Sequence, residues 1–259
     1  MPSFWRHVNG VLRYADIILE VLDARMIEET RNREIEDKVQ RLGKKLLFVF
    51  TKCDLVNQER LHEAQRAYHP SVFVSSTDKL GTTILKKKIM ELSRGEPVTV
   101  GVVGFPNVGK SSLINALAGR GSARTSPESG FTKGIQRVRV SPKIMLLDTP
   151  GVFPYKEKDE YILAKIGSRD YSKIREPDVV ALKLIGEKKE LLTEYYHVAG
   201  EEAEEILENI ARKFNKLQKG GHPDIEPTAR MVLKDWQTGK IQKNNLLLAG
   251  QKKPLKKEP

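Results

Sequence analysis

Two largely apolar runs open the pattern of this chain. Ile17 to Leu22 ends in Asp23, Ala24 and Arg25, and Leu46 to Phe50 ends in Thr51, Lys52, Cys53 and Asp54. Runs of this kind suit strands of a parallel sheet covered on both faces, because a half-exposed strand would alternate. Between them, Asn32 to Leu42 is charged, with Ile35, Val39 and Leu42 at helical spacing, and Gly43 follows, as glycine does just past a last helical turn. The alternation extends in both directions. Val11 to Asp16 reads as a helix, Leu61 to Tyr68 as another, Val72 to Val74 as a strand, and Ile84 to Leu92 as a helix. Val98, Val100, Val102 and Val103 then mark a strand, and Leu113, Ile114, Ala116 and Leu117 a helix. Repeated βα alternation predicts an α/β fold with a mostly parallel sheet.

The pattern loosens over Arg120 to Gly134, which is rich in Ser, Gly and Pro and longer than an ordinary connection. Ile135 to Val140 and Ile144 to Leu147 read as strands separated by Ser141 and Pro142. Beyond Gly151 only helical periodicity remains. Glu201 to Leu217 places Ala203, Ile206, Leu207, Ile210, Ala211, Phe214 and Leu217 on one face, with glutamates at its start and Lys/Arg at its end, matching the helix dipole. Pro227 to Thr238 carries Ala229, Val232, Leu233 and Trp236 and stops at Gly239. The predicted organisation is an α/β domain over 1–154, a helical domain over 155–250, and a basic tail over 251–259. That tail, with four lysines and two prolines, is expected to be disordered.

Composition narrows the partners. The 259 residues suffice for one large or two modest cores, and a net charge of +11 with pI near 9.5 favours an anionic macromolecule or surface. The single cysteine, Cys53, excludes a disulfide framework and has no metal-ligand spacing, so it reads as a small buried apolar residue in a reducing compartment. No charged-then-apolar leader is evident, and no apolar run approaches the roughly 20 residues a membrane helix needs. A cytoplasmic location without membrane contact is expected.

Candidate chemistry centres on GVVGFPNVGKSS, Gly101 to Ser112, where Gly104, Gly109, Lys110 and Ser111 fit G-x-x-x-x-G-K-[ST] between a strand and a helix. Backbone N–H groups of Asn107, Val108, Gly109, Lys110, Ser111 and Ser112 can wrap phosphates there, Lys110 adds charge at the outer phosphates, and the Ser111 hydroxyl suits Mg2+. Thr51 to Asp54 and Ser75-Ser76 end neighbouring strands, at the rim where α/β sheets bind ligands. Guanine presents two N–H donors on one edge, which a carboxylate can take together, so Asp54 selects guanine. Lys52 can lie along the base and the loop, and Ser75 and Ser76 offer backbone N–H groups to the guanine carbonyl. Thr132, between Gly130 and Gly134, is placed to reach the metal and terminal phosphate on loop closure. Asp148, in Asp148-Thr149-Pro150-Gly151, can hold Mg2+ through water, and the Gly151 N–H can sense the terminal phosphate.

These motifs occur with the base-recognition strands ahead of the phosphate loop, reversing the usual order. The chain thereby resembles the circularly permuted GTPases of ribosome assembly, the YlqF/YawG family. LDAR at Leu22 to Arg25, Arg31-Asn32, GFPNVGKSSLIN, GFTKGIQ, DTPG, GGHPD and DWQTGKI carry the resemblance. Ile27 departs from it, since the family usually has a proline after DAR.

The resemblance implies GTP and GDP as ligands with Mg2+, and a large ribosomal subunit or its precursor and rRNA as partners. Lys234, Lys240 and Lys243 are candidate phosphate contacts, and a monomer is expected. Val152 stands where many GTPases have the glutamine that orients water, implying slow intrinsic turnover stimulated by the particle. Asn107 resembles the asparagine that accompanies K+ stimulation. His7 resembles in placement a histidine proposed to position water, although its Pro-Gly neighbours are missing. A GTP-driven switch for a signalling or membrane partner and an ATP-using enzyme are the alternatives, the second opposed by Asp54.

Overall fold

In the computed structural model, described for residues 3–119, 124–125, 136–148 and 159–242 (side chains of 3–7 and 124–125 excepted), the chain divides into two compact units, Met1–Glu157 and Lys158–Pro259.

The first unit runs α1 (Ser3–Tyr14), β1 (Ile17–Asp23), α2 (Ile27–Thr30), α3 (Arg33–Arg41), β2 (Lys45–Thr51), α4 (Gln58–Ala67), β3 (Ser71–Val74), α5 (Thr82–Leu92), β4 (Val98–Val103), α6 (Lys110–Ala118), β5 (Arg124–Thr125), β6 (Gln136–Ser141) and β7 (Ile144–Asp148). The sheet order is β3-β2-β1-β4-β7-β6-β5. β3, β2, β1, β4 and β7 are parallel, whereas β6 runs antiparallel to β7 and β5 to β6. The chain builds outward from β1 to β3 and returns through β4 on the other side of β1, so the order reverses between β1 and β4. Their carboxyl ends therefore flank the crevice where open α/β sheets take ligands.

Every residue of β1 is buried, as a strand covered on both faces must be. Val8, Val11, Leu12 and Ala15 of α1 pack with Ile18, Ile35, Val39, Val103 and Leu147 in one cluster. Full burial of each such side chain is worth about 1.5–3 kcal/mol. Gly101 permits that packing: a β-carbon on it would meet Val11 Cγ1 at 2.3 Å. A second cluster joins Leu22, Ala24, Ile27, Phe48, Phe50, Ala64 and Tyr68, with the Phe50 and Phe73 rings stacked at 5.1 Å.

The Arg31-Asn32 pair is structural. Asn32 Oδ1 caps α3 by accepting from Ile35 N–H at 3.2 Å, and Arg31 forks Glu36 through Nε and Nη2.

The second unit contains α7 (Glu160–Lys165), α8 (Pro177–Glu187), α9 (Lys189–Tyr196), α10 (Ala203–Lys213) and α11 (Ile225–Gln237). α8 touches the other four helices, and Val180, Leu184, Ile185, Leu207, Ile210, Val232, Leu233 and Trp236 form its buried interior. DWQTGKI is the fastening of this interior. Trp236 Nε1 donates to Lys165 O at 2.8 Å, Gln237 Nε2 to Ala164 O and Arg169 O, and Asp235 accepts from Tyr196 Oη and Lys240 Nζ. Lys240, a candidate phosphate contact by sequence, is thus paired within the chain.

Some sequence expectations are corrected. Phe214 and Leu217, assigned to the buried face of their helix, are 47% and 40% exposed, because α10 ends at Lys213 and Asn215 turns left-handed at φ +52°. Cys53 is half-buried, not buried. The stretch read as one long loop contains β5; the rest of it, with Thr132, lies outside the described residues, as do Gly151, Val152, Lys243 and 251–259.

Candidate functional site

The phosphate loop is shaped by glycines that only glycine can fill. A β-carbon on Gly104, at φ +148°, would sit 2.5 Å from Val21 O, so the loop leaves β4 pressed against the backbone of β1. Asn107 at φ +60° and Gly109 at φ +103° then turn the chain into α6. The first α6 bond runs from Leu113 N–H to Gly109 O at 2.8 Å, leaving the N–H groups of Gly109 to Ser112 as the uncommitted donors of a helix start. Ser111 and Ser112 are exposed there. These donors, with the helix dipole, suit an anion such as a nucleotide's phosphates.

Lys110 is buried, and its Nζ donates to Phe105 O. Burial pulls its pKa down to about 8, while Asp148 opposes the shift. Asp148 closes β7 beside Val102 of β4. Loop lysine, Ser111 hydroxyl and strand-end carboxylate therefore belong to one crevice, and an oxygen-rich donor set of Ser111 and Asp148 fits Mg2+.

The TKCD turn joins the same crevice through side chains. Thr51 Oγ1 lies 2.9 Å from Leu22 O and also contacts Val108 O, binding the β2 end to both β1 and the phosphate loop. Lys52, left-handed at φ +56°, donates from Nζ to Asn107 O at 3.0 Å and to Asp23 Oδ2 at 2.8 Å. Burial lowers the Lys52 pKa and Asp23 counters it. Asp54 sits in the 3-10 turn Cys53–Leu55, half-buried. Its acceptor oxygens fit the paired N–H donors of a guanine edge.

Ser75 departs from its expected role. Its N–H is donated to Leu80 O at 3.2 Å and Leu80 N–H returns to Ser75 O at 2.9 Å, while Ser75 Oγ accepts from Asp78 N–H. Ser75 thus closes a tight loop, and among the two serines Ser76 is the one that faces open space. Ser76, Thr77, Lys79 and Thr82 line one side of a cleft of about 880 Å3 whose other side is Ser112 and Asn115 of α6. That volume matches small-ligand pockets.

Sequence reasoning missed Asp23 and Arg25 as site residues, since LDAR entered only as a resemblance. Arg25 clasps buried Asp23 through Nε at 2.9 Å and Nη2 at 2.7 Å. Although burial opposes it, the bonds from Arg25 and the charges of Arg25 and Lys52 hold the Asp23 pKa down to about 2. The signal was present: an aspartate closing an otherwise buried strand. Glu20 was also passed over within its apolar run. Fully buried, it accepts Asn32 N–H at 2.7 Å, and burial pushes its pKa up to about 8. The backbone of His7 lies in α1, but its side chain is outside the described residues.

Comparison with known proteins agrees with this geometry. The family described as 50S ribosome-binding GTPase matches residues 99–217, beginning at the strand before the phosphate loop. An uncharacterised GTP-binding protein of Methanocaldococcus jannaschii is 41% identical over 244 residues, covering 90% of this chain and 65% of its own length. A guanine nucleotide-binding protein-like 3 homolog of Caenorhabditis elegans is 31% identical, over 93% of this chain and 50% of the relative. The chain thus spans about half to two-thirds of these relatives. Its fold matches GNP-bound YlqF from T. maritima with a TM-score of 0.65, at 23% identity, over 92% of this chain and 94% of that one.

Proposed function

We propose that this chain, a circularly permuted GTPase with the fold of YlqF and relatives among the nucleolar and guanine nucleotide-binding proteins, binds GTP with Mg2+, hydrolyses it to GDP and phosphate, and acts in assembly of the large ribosomal subunit. The observation that carries the nucleotide is the convergence of Lys110, Lys52 and Asp54 on one crevice. Val108 to Ser112 hold the phosphates, Ser111 and Asp148 hold Mg2+, and Asp54 reads guanine. Bound Mg2+ would neutralise charge developing on the phosphates. Lys110, already buried beside them, supplies a positioned positive charge. Thr132 and the Gly151 N–H complete the terminal-phosphate contacts on this reading. With Val152 unable to orient water, intrinsic turnover is slow and rises with the ribosomal particle and with K+ near Asn107; His7 is a candidate for positioning water.

Support for the ribosomal role comes from the matched family's description and from relatives such as nucleolar GTP-binding protein 2 of Yarrowia lipolytica. The compartment is then wherever large subunits are assembled: cytoplasm in a cell without a nucleus, nucleolus in one with it. The helical unit carries the RNA contact. From Asn209 to Pro223 it has no acidic residue and four cations, Arg212, Lys213, Lys216 and Lys219, beside the exposed Phe214 and Leu217. That combination suits phosphate attraction with base stacking. The protein acts as a monomer. Co-sedimentation of the full chain with large ribosomal subunits tests the reading: binding with a GTP analogue and release with GDP are expected. Equal binding in both states, or capture by anionic liposomes instead, contradicts it.

A further inference from the structure

Asp23 has no counterpart among the groups that touch a nucleotide in the reading above, yet it is among the most heavily bonded side chains of the crevice. It is fully buried and accepts from Arg25 N–H, Nε and Nη2 and from Lys52 Nζ. Arg25 and Lys52 meet the same oxygen, Oδ2, at 2.7 and 2.8 Å. One carboxylate therefore serves two cations, of which Arg25 is held by a fork and Lys52 by a single contact. The second end of Lys52 is the backbone of the phosphate loop, at Asn107 O.

The register explains why this triangle forms. Asp23 pairs with Thr51 across β1 and β2, so the residue after Thr51 emerges beside the Asp23 carboxylate. Lys52 then takes a left-handed conformation, which non-glycine residues adopt only when their surroundings enforce it. β1, β2 and the loop after β4 are distant in this permuted sequence, and Asp23 and Lys52 tie all three together.

The structure assigns Asp23 a positioning role: through Lys52 it fixes the phosphate loop against the guanine-reading turn and thereby sets nucleotide affinity. This rests on the GTP reading above for the nucleotide, but not for the coupling between loop and turn. Lys52 is faced by Asp23 from β1, by Arg25 beyond it and by Asp54 on its own turn. Removing the Asp23 charge leaves a half-buried lysine opposite Arg25, which favours loss of its proton and of its bond to Asn107 O. Arg25 enters the triangle only by holding Asp23 in orientation.

The test is a double-variant cycle on the full chain with Asp23→Asn, Lys52→Met and both together. Fluorescent GDP binding should weaken roughly ten- to a hundredfold in each single variant, and the double variant should be no weaker than Lys52→Met. Asp23→Asn should also lose affinity more steeply than wild type as the pH rises, and this added dependence should be absent once Lys52 is replaced by Met. Additive losses, or full affinity in Asp23→Asn, overturn the role. Hydrogen exchange of amides 104–110 in nucleotide-free protein decides the coupling without reference to any nucleotide. It should rise alike in all three variants, and unchanged exchange there, in Lys52→Met alone if Asp23→Asn does not fold, contradicts it. A wild type that binds guanine and adenine nucleotides equally defeats the GTP reading while leaving the exchange result to judge Asp23.

Discussion

Gly104 lies so close to Val21 that a β-carbon would be 2.5 Å from the Val21 carbonyl oxygen. The first glycine of the phosphate loop is thus as much a packing residue of the sheet as a part of the nucleotide cradle. Because β1 and β4 are paired in register, with Glu20 opposite Val103, neither backbone can yield without shearing the sheet.

Gly104→Ala is expected to destabilise the first unit by about 2–4 kcal/mol, combining a left-handed strain with overpacking, and to weaken GDP binding more than tenfold. Chemical denaturation and fluorescent nucleotide titration measure the two effects. A variant with wild-type stability contradicts the packing argument.

The central sheet was the most legible part of the sequence. Its strands read as dominantly apolar runs, interrupted by Glu20 in β1 and Thr99 in β4, because β1, β2 and β4 are buried on both faces, and the glycine and TKCD motifs sit at the strand ends that the sheet brings together. The triangle of Asp23, Lys52 and Asn107 was not legible, because it depends on strand register, which no local pattern encodes. The Ser75 N–H was misassigned for a related reason: its partner, Leu80, closes a loop that composition does not reveal. In the helical unit the short α7 and α9 have too few turns to show a stripe. The stripe of α10 appeared longer than it is because Phe214 and Leu217 continue its spacing after the backbone has turned at Asn215.

Lys110 makes binding pH-dependent. Its pKa near 8 without nucleotide should rise when phosphates lie against it, so binding takes up about half a proton at pH 8. Affinity accordingly falls as the pH climbs above 8. Calorimetry of GDP binding in buffers of different ionisation enthalpy reads this uptake directly, and Lys110→Met should abolish it.

Glu20 makes stability pH-dependent in a different window. Its folded pKa of about 8 exceeds the model-compound value of 4.5, so the unfolded chain releases its proton first. Stability is full below pH 4.5, falls as the pH rises towards 8 and is level beyond. Glu20→Gln should flatten this slope and add on the order of 4 kcal/mol at pH 8, with little gain at pH 4.5. Denaturant midpoints across that range provide the check.

The basic turn of the helical unit should bind RNA largely through charge. Replacing Lys216 and Lys219 together by glutamine should leave thermal stability unchanged and reduce the slope of log affinity against log salt by about 2. An unaltered slope in filter binding places the RNA contact elsewhere.

Asp54 carries the claim that the crevice is built for guanine, and nucleotide competition tests it most directly. Against fluorescent GDP, wild type should be displaced by GTP and not by ATP or xanthosine triphosphate. In Asp54→Asn, exchanging an acceptor oxygen for a donor should weaken GTP and admit xanthosine triphosphate, whose ring presents a carbonyl in place of the amino group. Displacement of wild type by ATP as readily as by GTP, or unchanged selectivity in Asp54→Asn, would contradict the account.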